Sequence, residues 1–352
     1  MIKKYSNKIN KEYEFKNNPN LFLKEILNEE NEDISIGNNI IDIYYPKHIK
    51  NELYLIFPKQ INFSIDIIRI LDNKNITSLK GHKNYILFVR HFYNCRDNND
   101  YLLSSDEDCK IFIWDLTNNY KLKFMIEIHN YFNITDGLII FDDFNSKDYI
   151  LTCTKGINND NYSKLFSFEN KGEYIKNIPY TNLNKTYYLI KWINNNDNNK
   201  LYIIECCDKI IYIYNLYEPE ENFKMKSFLH ESINCGGCVI KQNNNDYLFA
   251  ISYNGYINIF DLNNKLYFKN IYCEYNNNFC SIIQWNVNYL IITINGKIQI
   301  FDIFQKKIIS SIKVNNNKRY IYLKKMVHPY FGESLLTIES DSSIKLWAIK
   351  KI

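Results

Sequence analysis

A short strand-like phrase recurs along this chain and constrains its fold more than any other feature of the sequence. Its clearest copy, Cys109–Leu116, is a run of β-branched and aromatic residues that ends in Trp114-Asp115. Short runs of this composition, bounded by turn residues, indicate β-strands. The residue after the last bulky position in each copy is Asp72, Asp115, Glu169, Asn215, Asp261, Asp302 or Ala348. The spacing is close to the roughly 40 to 45 residues of a four-stranded repeat unit, and it predicts seven such units.

The second unit shows most clearly how the strands of a unit follow one another. An alternating run over Tyr85–Phe92 leads through a polar turn to Tyr101–Ser105, and a tight turn at Asp106–Asp108 leads to the run that ends in Trp114. No stretch of the repeat region shows a convincing helical period. The sequence therefore predicts an all-β chain made of small antiparallel sheets.

The same unit resembles the WD-repeat (WD40) family. Gly81-His82 and Trp114-Asp115 lie at the spacing that the family uses, with Ser104 and Asp108 between them. The resemblance covers about residues 32–352 and implies a seven-bladed WD40-type β-propeller. It also implies a buried hydrogen-bond network of His82, Ser104, Asp108 and Trp114. A catalytic His-Ser-Asp triad is the alternative interpretation, but the network also accounts for the Trp, whose indole N–H needs an acceptor when it is buried.

The two ends of the chain bear on how the final blade is completed. The last unit stops just after its third strand, and the family commonly lets an amino-terminal strand complete the final blade. We assign that strand to Glu32–Gly37. Residues 1–31 are then a short extension, in which Phe22/Ile26 and Leu23/Leu27 pair at helical spacing after Pro19. This pattern predicts a short amphipathic helix, which either packs on the side of the propeller or acts as an arm for a partner.

Composition and motifs exclude several classes of function. The net charge of +4 gives no strong attraction to nucleic acid or to an anionic membrane, and no apolar run is long enough to span a bilayer. Nine cysteines without a disulfide-like framework predict a reducing compartment, the cytoplasm, with the nucleus as the alternative. Cys235 and Cys238 form the one CxxC motif, but neither a second pair nor a following helix supports metal or redox chemistry. We predict no metal, no cofactor and no catalytic residue.

The sequence therefore favours a non-enzymatic scaffold, or a structural subunit of a complex, whose partners are other proteins or peptides. The family resemblance points to the top face, and there to the residues just before the acid of the strand turn: Glu107, Cys207, Tyr253, Ile294 and Ser340. An enzyme or small-ligand binder that uses the central channel is the alternative, with His91 as the exception among inner strands that offer few titratable groups. Nucleic-acid binding is a further alternative.

Overall fold

The computed structural model describes residues 12–14, 21–29, 41–46, 49, 52–72, 74–128, 133–142, 146–155, 163–178, 186–194, 200–207, 210–218, 222–226, 234–242, 244–252, 255–273, 281–294, 296–313, 320–328, 332–339 and 344–351. These residues form strands and turns, and none of them lies in a helix. The chain divides into two compact units, one of residues 33–189 and one of residues 1–32 with 190–352.

The strands are numbered in chain order. The amino-terminal pair is β1 (Glu12–Glu14) and β2 (Leu21–Glu29). Sheets 1 to 3 contain β3 (Asp42–Tyr44), β4 (Tyr54–Lys59), β5 (Ser64–Arg69), β6 (Lys74–Lys80); β7 (Ile86–Asn94), β8 (Asn99–Asp106), β9 (Lys110–Asp115), β10 (Lys121–Glu127); and β11 (Asn133–Asp142), β12 (Lys147–Lys155), β13 (Ser163–Ser167), β14 (Tyr174–Ile178).

Sheets 4 to 6 contain β15 (Thr186–Asn194), β16 (Lys200–Cys207), β17 (Ile210–Asn215), β18 (Phe223–Lys226); β19 (Asn234–Gln242), β20 (Asn245–Ser252), β21 (Tyr256–Asp261), β22 (Leu266–Tyr272); and β23 (Ser281–Gln284), β24 (Tyr289–Ile294), β25 (Lys297–Asp302), β26 (Lys307–Lys313). Sheet 7 contains β27 (Tyr320–His328), β28 (Gly332–Glu339) and β29 (Ile344–Lys351), together with β2 and β1.

In the unit of residues 33–189, the apolar faces of neighbouring sheets form the core. The first strands of sheets 1, 2 and 3 lie next to one another, so each sheet starts at its inner strand and ends at its outer one. Phe88 and Leu103 pack with residues of sheet 3 in one buried cluster. A Cβ on Gly137 would lie 2.8 Å from Leu103 and 2.9 Å from Phe88, so the missing side chain lets β11 lie close against sheet 2.

In the unit of residues 1–32 and 190–352, the same pattern holds from sheet 5 to sheet 7. The first strands β19, β23 and β27 are neighbours. One buried cluster joins sheets 5 and 6 around Phe249 and Phe301, and a second joins sheets 6 and 7 around Trp285 and Trp347.

The predicted amino-terminal helix is wrong, because residues 21–29 form the strand β2. β2 pairs antiparallel with β29, with Leu23 opposite Ile349 and a bulge between Glu25 and Leu27. Without β2, the backbone N–H and C=O groups along one edge of β29 would have no partner strand, and satisfying them outweighs the helical spacing of the side chains. An amino-terminal strand does complete the final sheet, but it is Leu21–Glu29. The segment we assigned, Glu32–Gly37, lies outside the described residues.

Candidate functional site

A buried hydrogen-bond network connects the loop between β6 and β7 with β8 and β9 in the unit of residues 33–189. His82 Nδ1 lies 2.8 Å from Asp106 Oδ2, and His82 Nε2 lies 2.8 Å from Ser104 Oγ. The indole N–H of Trp114 donates to the same Ser104 Oγ over 2.9 Å. One assignment of protons satisfies every group: the imidazole donates to Asp106, and the hydroxyl donates to the imidazole and accepts from the indole.

The acid of this network is Asp106, so the predicted role of Asp108 is wrong. Ser104 and Asp106 are two residues apart on β8 and therefore share a face of the strand, and both are fully buried. Asp108 lies beyond the end of the strand, in the turn, where 38% of its side chain is exposed and it accepts a hydrogen bond from Asn84 Nδ2 over 3.0 Å. Counting back from the Trp placed the acid in the turn instead of at the end of the strand.

The network holds two loops at the same end of the sheet. The backbone N–H of Glu107 donates to the carbonyl of Tyr85 over 3.0 Å, which joins the β8–β9 turn to the loop after His82. Asp106 Oδ1 accepts from the N–H of Lys110 over 3.1 Å and so shapes that turn. A Cβ on Gly81 would lie 3.0 Å from the ring of Trp114, so this loop rests directly on the indole.

Above the network lies an exposed surface that we call the Tyr85 patch, formed by Ile61, Phe63, Tyr85 and Glu107. Ile61 is 78% exposed and Tyr85 is 49% exposed. The rings of Phe63 and Tyr85 meet edge to face, with their centroids 5.7 Å apart. The patch therefore offers aromatic and apolar area beside a carboxylate, a combination that suits contact with a protein.

A buried glutamine fixes the part of the patch that belongs to sheet 1. Gln60 Nε2 donates to the carbonyl of Ile86, and the N–H of Ile86 donates to Gln60 Oε1, both over 2.9 Å. This pair of bonds ties the β4–β5 turn, which carries Ile61 and Phe63, to the start of β7. The backbone that carries the exposed side chains of the patch is thus fixed by two sets of buried hydrogen bonds, those of Gln60 and those of the His82 network.

The five residues predicted to lie on the top face do not share one environment in the structure. Glu107 lies exposed in the β8–β9 turn, within the Tyr85 patch. Ile294 is only 1% exposed, so its prediction as a surface residue is wrong; it ends β24 as Asp106 ends β8, and both side chains are buried. Cys207 ends β16, and its side chain is outside the described part of the chain. Tyr253 and Ser340 also lie outside the described residues.

Sheet 7 contains a second buried network. Trp347 Nε1 donates to Thr337 Oγ1 over 2.8 Å, as Trp114 does to Ser104. The acid two residues after the hydroxyl is Glu339, and it pairs with Lys345 Nζ over 2.8 Å. The ten-residue spacing of Thr337 and Trp347 was the available signal. A Lys–Glu pair in this sheet takes the place of the His–Asp pair of sheet 2.

His91, the residue that bears on the channel hypothesis, is held in structural contacts. Its Nε2 lies 2.9 Å from Asp100 Oδ1, and its ring stacks on Tyr44 with centroids 4.9 Å apart. Next to it, Arg90 Nη1 contacts both carboxylate oxygens of Asp136 at 3.2 Å. Asp136 also accepts from the N–H of Leu189 over 2.9 Å. These polar groups therefore connect β7, β11 and β15.

Two further observations concern chemistry. Burial raises the pKa of the Cys238 thiol to about 12, so this cysteine of the CxxC motif stays a thiol at neutral pH and lacks the low pKa of a redox pair. In the part of the chain that the structure describes, no group of three or more His, Cys, Asp or Glu side chains could hold a metal ion. Within those same residues, no helix is long and apolar enough to cross a membrane.

No protein-family model and no curated protein sequence matches the chain. Among solved structures, it is similar to BBS1N in crystals with ARL6DN. The crystal soaked with lead has a TM-score of 0.67 at 10% identity, covering 93% of this chain and 96% of that one. The crystal soaked with mercury has a TM-score of 0.69 at 9% identity and the same coverage. At such identity the likeness shows the fold alone. The fold is a seven-bladed β-propeller, which confirms the all-β architecture and the seven blades predicted from the sequence.

Proposed function

We propose that this chain is a non-enzymatic platform for protein–protein interaction in the cytoplasm, either a WD-repeat scaffold or a structural subunit of a complex. Its partner binds at the Tyr85 patch. The observation that carries the proposal is the combination of two exposed apolar side chains, Ile61 and Tyr85, with the buried His82–Ser104–Trp114 network below them.

The energetics of protein interfaces support this choice of surface. Tyr is among the residues that contribute most to binding when a partner covers them, because a large ring is buried at a small cost in side-chain entropy. A surface that is already fixed in the free protein loses little further freedom on binding. Glu107 beside the rings would select for a partner with a basic group at the rim of the contact.

The likeness to BBS1N adds a second, weaker support. The two BBS1N structures contain that propeller together with another protein, ARL6DN. A propeller with this fold therefore can act through protein contact, although the identity of 9 to 10% transfers no residue from one chain to the other.

The test is quantitative affinity capture with the full chain, comparing wild type with the double variant Ile61→Asp, Tyr85→Ala. Loss of the Tyr ring alone should weaken a bound partner by about 2 kcal/mol, or roughly thirtyfold in Kd. We expect the specifically captured proteins to be strongly depleted in the variant.

The matched control is Leu122→Asp, Met125→Ala on the outer strand β10 of the same unit, where these side chains are 44% and 42% exposed. It changes two exposed apolar side chains away from the patch and should capture the same proteins as wild type. An identical set of captured proteins from all three forms would refute the patch as the binding surface.

A further inference from the structure

Two turns at one end of sheet 6 carry exposed apolar side chains. In a sheet of consecutive antiparallel strands the first and third turns lie at the same end, so the β23–β24 turn with Val287 adjoins the β25–β26 turn with Phe304. The N–H of Ile303 donates to the carbonyl of Asn288 over 2.8 Å and joins the two turns. Val287 is 70% exposed and Phe304 is 55% exposed.

Sheet 7 adds Val327 to this surface. Lys325 Nζ donates to the carbonyl of Trp285 over 2.5 Å, at the point where the β23–β24 turn begins. Val327 lies two residues further along β27 and therefore on the same side of the strand as Lys325, and it is 56% exposed. Val327 thus lies beside the turn that carries Val287.

Sheet 5 adds Leu266, which begins β22 at the same end and is 60% exposed. The β25–β26 turn reaches this strand through Lys306, whose Nζ lies 3.7 Å from the centroid of the Phe268 ring. The Phe268 ring also meets Tyr247 edge to face at 6.2 Å, so it serves the packing of sheet 5. We call the four more exposed side chains the Phe304 patch: Leu266, Val287, Phe304 and Val327.

The fold does not require an apolar residue at position 304. In sheets 2 and 5 the residue at this place in the third turn, Thr117 or Asn263, accepts a hydrogen bond from a backbone N–H of the second strand, over 2.8 Å and 2.5 Å. In sheet 6 the equivalent N–H, that of Asn288, donates to Asn286 Oδ1 over 2.8 Å. The ring of Phe304 therefore takes no part in closing these turns, and an exposed aromatic side chain stands where two other sheets use a polar one.

The size of the Phe304 patch suits a stable protein contact. Large apolar side chains present about 150 to 250 Å² each when they are fully exposed, so the four of the patch together present on the order of 400 Å². One partner in a contact of standard size contributes about 800 Å², of which roughly 65% is apolar in homodimers. The patch therefore supplies most of the apolar area that one side of a dimer needs.

The charges around the patch nearly cancel. Residues 261–266 and 302–307 contain three lysines against two aspartates, and Asp302 lies opposite Lys307 in the pairing of β25 with β26. On sheet 7, Lys325 Nζ pairs with Glu333 Oε1 over 3.0 Å. A two-fold contact brings a surface against its own copy, so a strongly charged surface would repel itself, whereas this one brings little net charge together. The charge balance thus favours a second copy of the chain as the occupant.

We propose that this chain forms a two-fold symmetric homodimer through the Phe304 patch. Phe304 and Val287 of one copy pack against the same residues of the second copy. The exposed amides of Asn286 and Gln305 lie at the rim, where an amide can both donate and accept a hydrogen bond across the two-fold axis. The dimer carries two copies of the Tyr85 patch, so a partner with two matching sites gains avidity.

The test is sedimentation velocity on the full chain over about 1 to 100 µM, comparing wild type with Phe304→Asn. We expect the wild type to shift from monomer to dimer as its concentration rises. Asparagine is the residue that sheet 5 has at the equivalent position, Asn263, so the variant should keep its fold. One substitution removes two rings from a two-fold contact, and it should weaken the dimer at least about tenfold.

The matched control is Tyr174→Asn, which removes an aromatic side chain of similar exposure, 52%, from the outer strand β14 of the other unit. It should dimerise as wild type does. Tyr85→Ala should also dimerise as wild type, which separates the dimer contact from the function proposed above. A chain that dimerises but captures no other protein would contradict that function and leave the dimer standing.

Three results would overturn the proposal. The first is a wild-type chain that sediments as a monomer at every concentration, and the second is a dimer that Phe304→Asn leaves undiminished. The third comes from the photo-crosslinker p-benzoylphenylalanine placed at position 304 and irradiated in cells. We expect an adduct of two copies of this chain, and an adduct with a different protein instead would make the patch a site for that protein.

Discussion

Ser104 is the residue on which the packing of sheet 2 depends most directly, because one hydroxyl serves both His82 and Trp114. Both partners are buried, so neither can exchange its bond to Ser104 for one to water. Removing a shared partner in such a place leaves two buried polar groups without a hydrogen bond, which costs more than the bonds themselves contribute.

We therefore expect Ser104→Ala to lower the free energy of unfolding by about 2 kcal/mol, measured by urea denaturation. The neighbouring residue provides a matched control, since Ser105 is equally buried and its hydroxyl has no hydrogen-bond partner among the described residues. Ser105→Ala should change stability by less than about 0.5 kcal/mol, or increase it. Equal losses in the two variants would contradict the network.

Asp106 rather than Asp108 is the acid of the network, and substitution of each tests this. Asp106→Ala leaves His82 Nδ1 without its acceptor in a fully buried place and should cost about 2 to 3 kcal/mol. Asp108→Ala removes an exposed turn residue and should stay within about 0.5 kcal/mol. Urea denaturation of both variants decides the point, and a larger loss for Asp108→Ala would restore the role predicted from the sequence.

His328 makes stability depend on pH. Burial lowers its pKa from 6.5 to about 4 in the folded chain, so the unfolded chain binds a proton between these values that the folded chain does not. Stability should then fall as the pH drops from 6.5 to 4, by up to about 1.4 kcal/mol per pH unit from this group. His328→Asn should remove this part of the slope in urea denaturation at several pH values. If the free energy of unfolding depends on pH in the same way in wild type and variant, His328 makes no such contribution.

At the scale of elements, the amino-terminal strand shows where local pattern and tertiary pairing disagree. Phe22/Ile26 and Leu23/Leu27 have helical spacing, yet residues 21–29 form β2 because the edge of β29 needs a partner. A short isolated helix gains little stability of its own in water. A strand that completes a ladder gains a row of backbone hydrogen bonds together with the packing of its neighbours.

Truncation tests whether residues 21–29 stabilise the final sheet as the strand β2, which an isolated helix would not do. Removing residues 1–31 exposes the edge of β29 and should lower Tm by about 5 °C or more, corresponding to about 2 kcal/mol. Differential scanning calorimetry of the full and the truncated chain measures the difference. An unchanged Tm after removal of residues 1–31 would mean that β2 does not hold the final sheet together.

At the scale of the whole molecule, the period of the sequence predicts the fold and the number of sheets, because strand composition and turn residues are local properties that repeat. Pairings between distant segments are harder to predict from the sequence, because nothing local in residues 21–29 indicates β29 as their partner. The same holds for the site. The spacing of Ser104 and Trp114 identifies the network, but burial decides between Asp106 and Asp108, and the Tyr85 patch includes Ile61 and Phe63 from a turn of a different sheet.

The function proposed for this chain is the binding of another protein at the Tyr85 patch. The most direct measurement places the photo-crosslinker p-benzoylphenylalanine at position 85 in one chain and at Met125 in a second, followed by irradiation in cells and mass spectrometry. We expect a discrete covalent adduct with another protein from position 85 and none from position 125. No adduct from position 85, or the same adducts from both positions, would contradict binding of a protein at the Tyr85 patch.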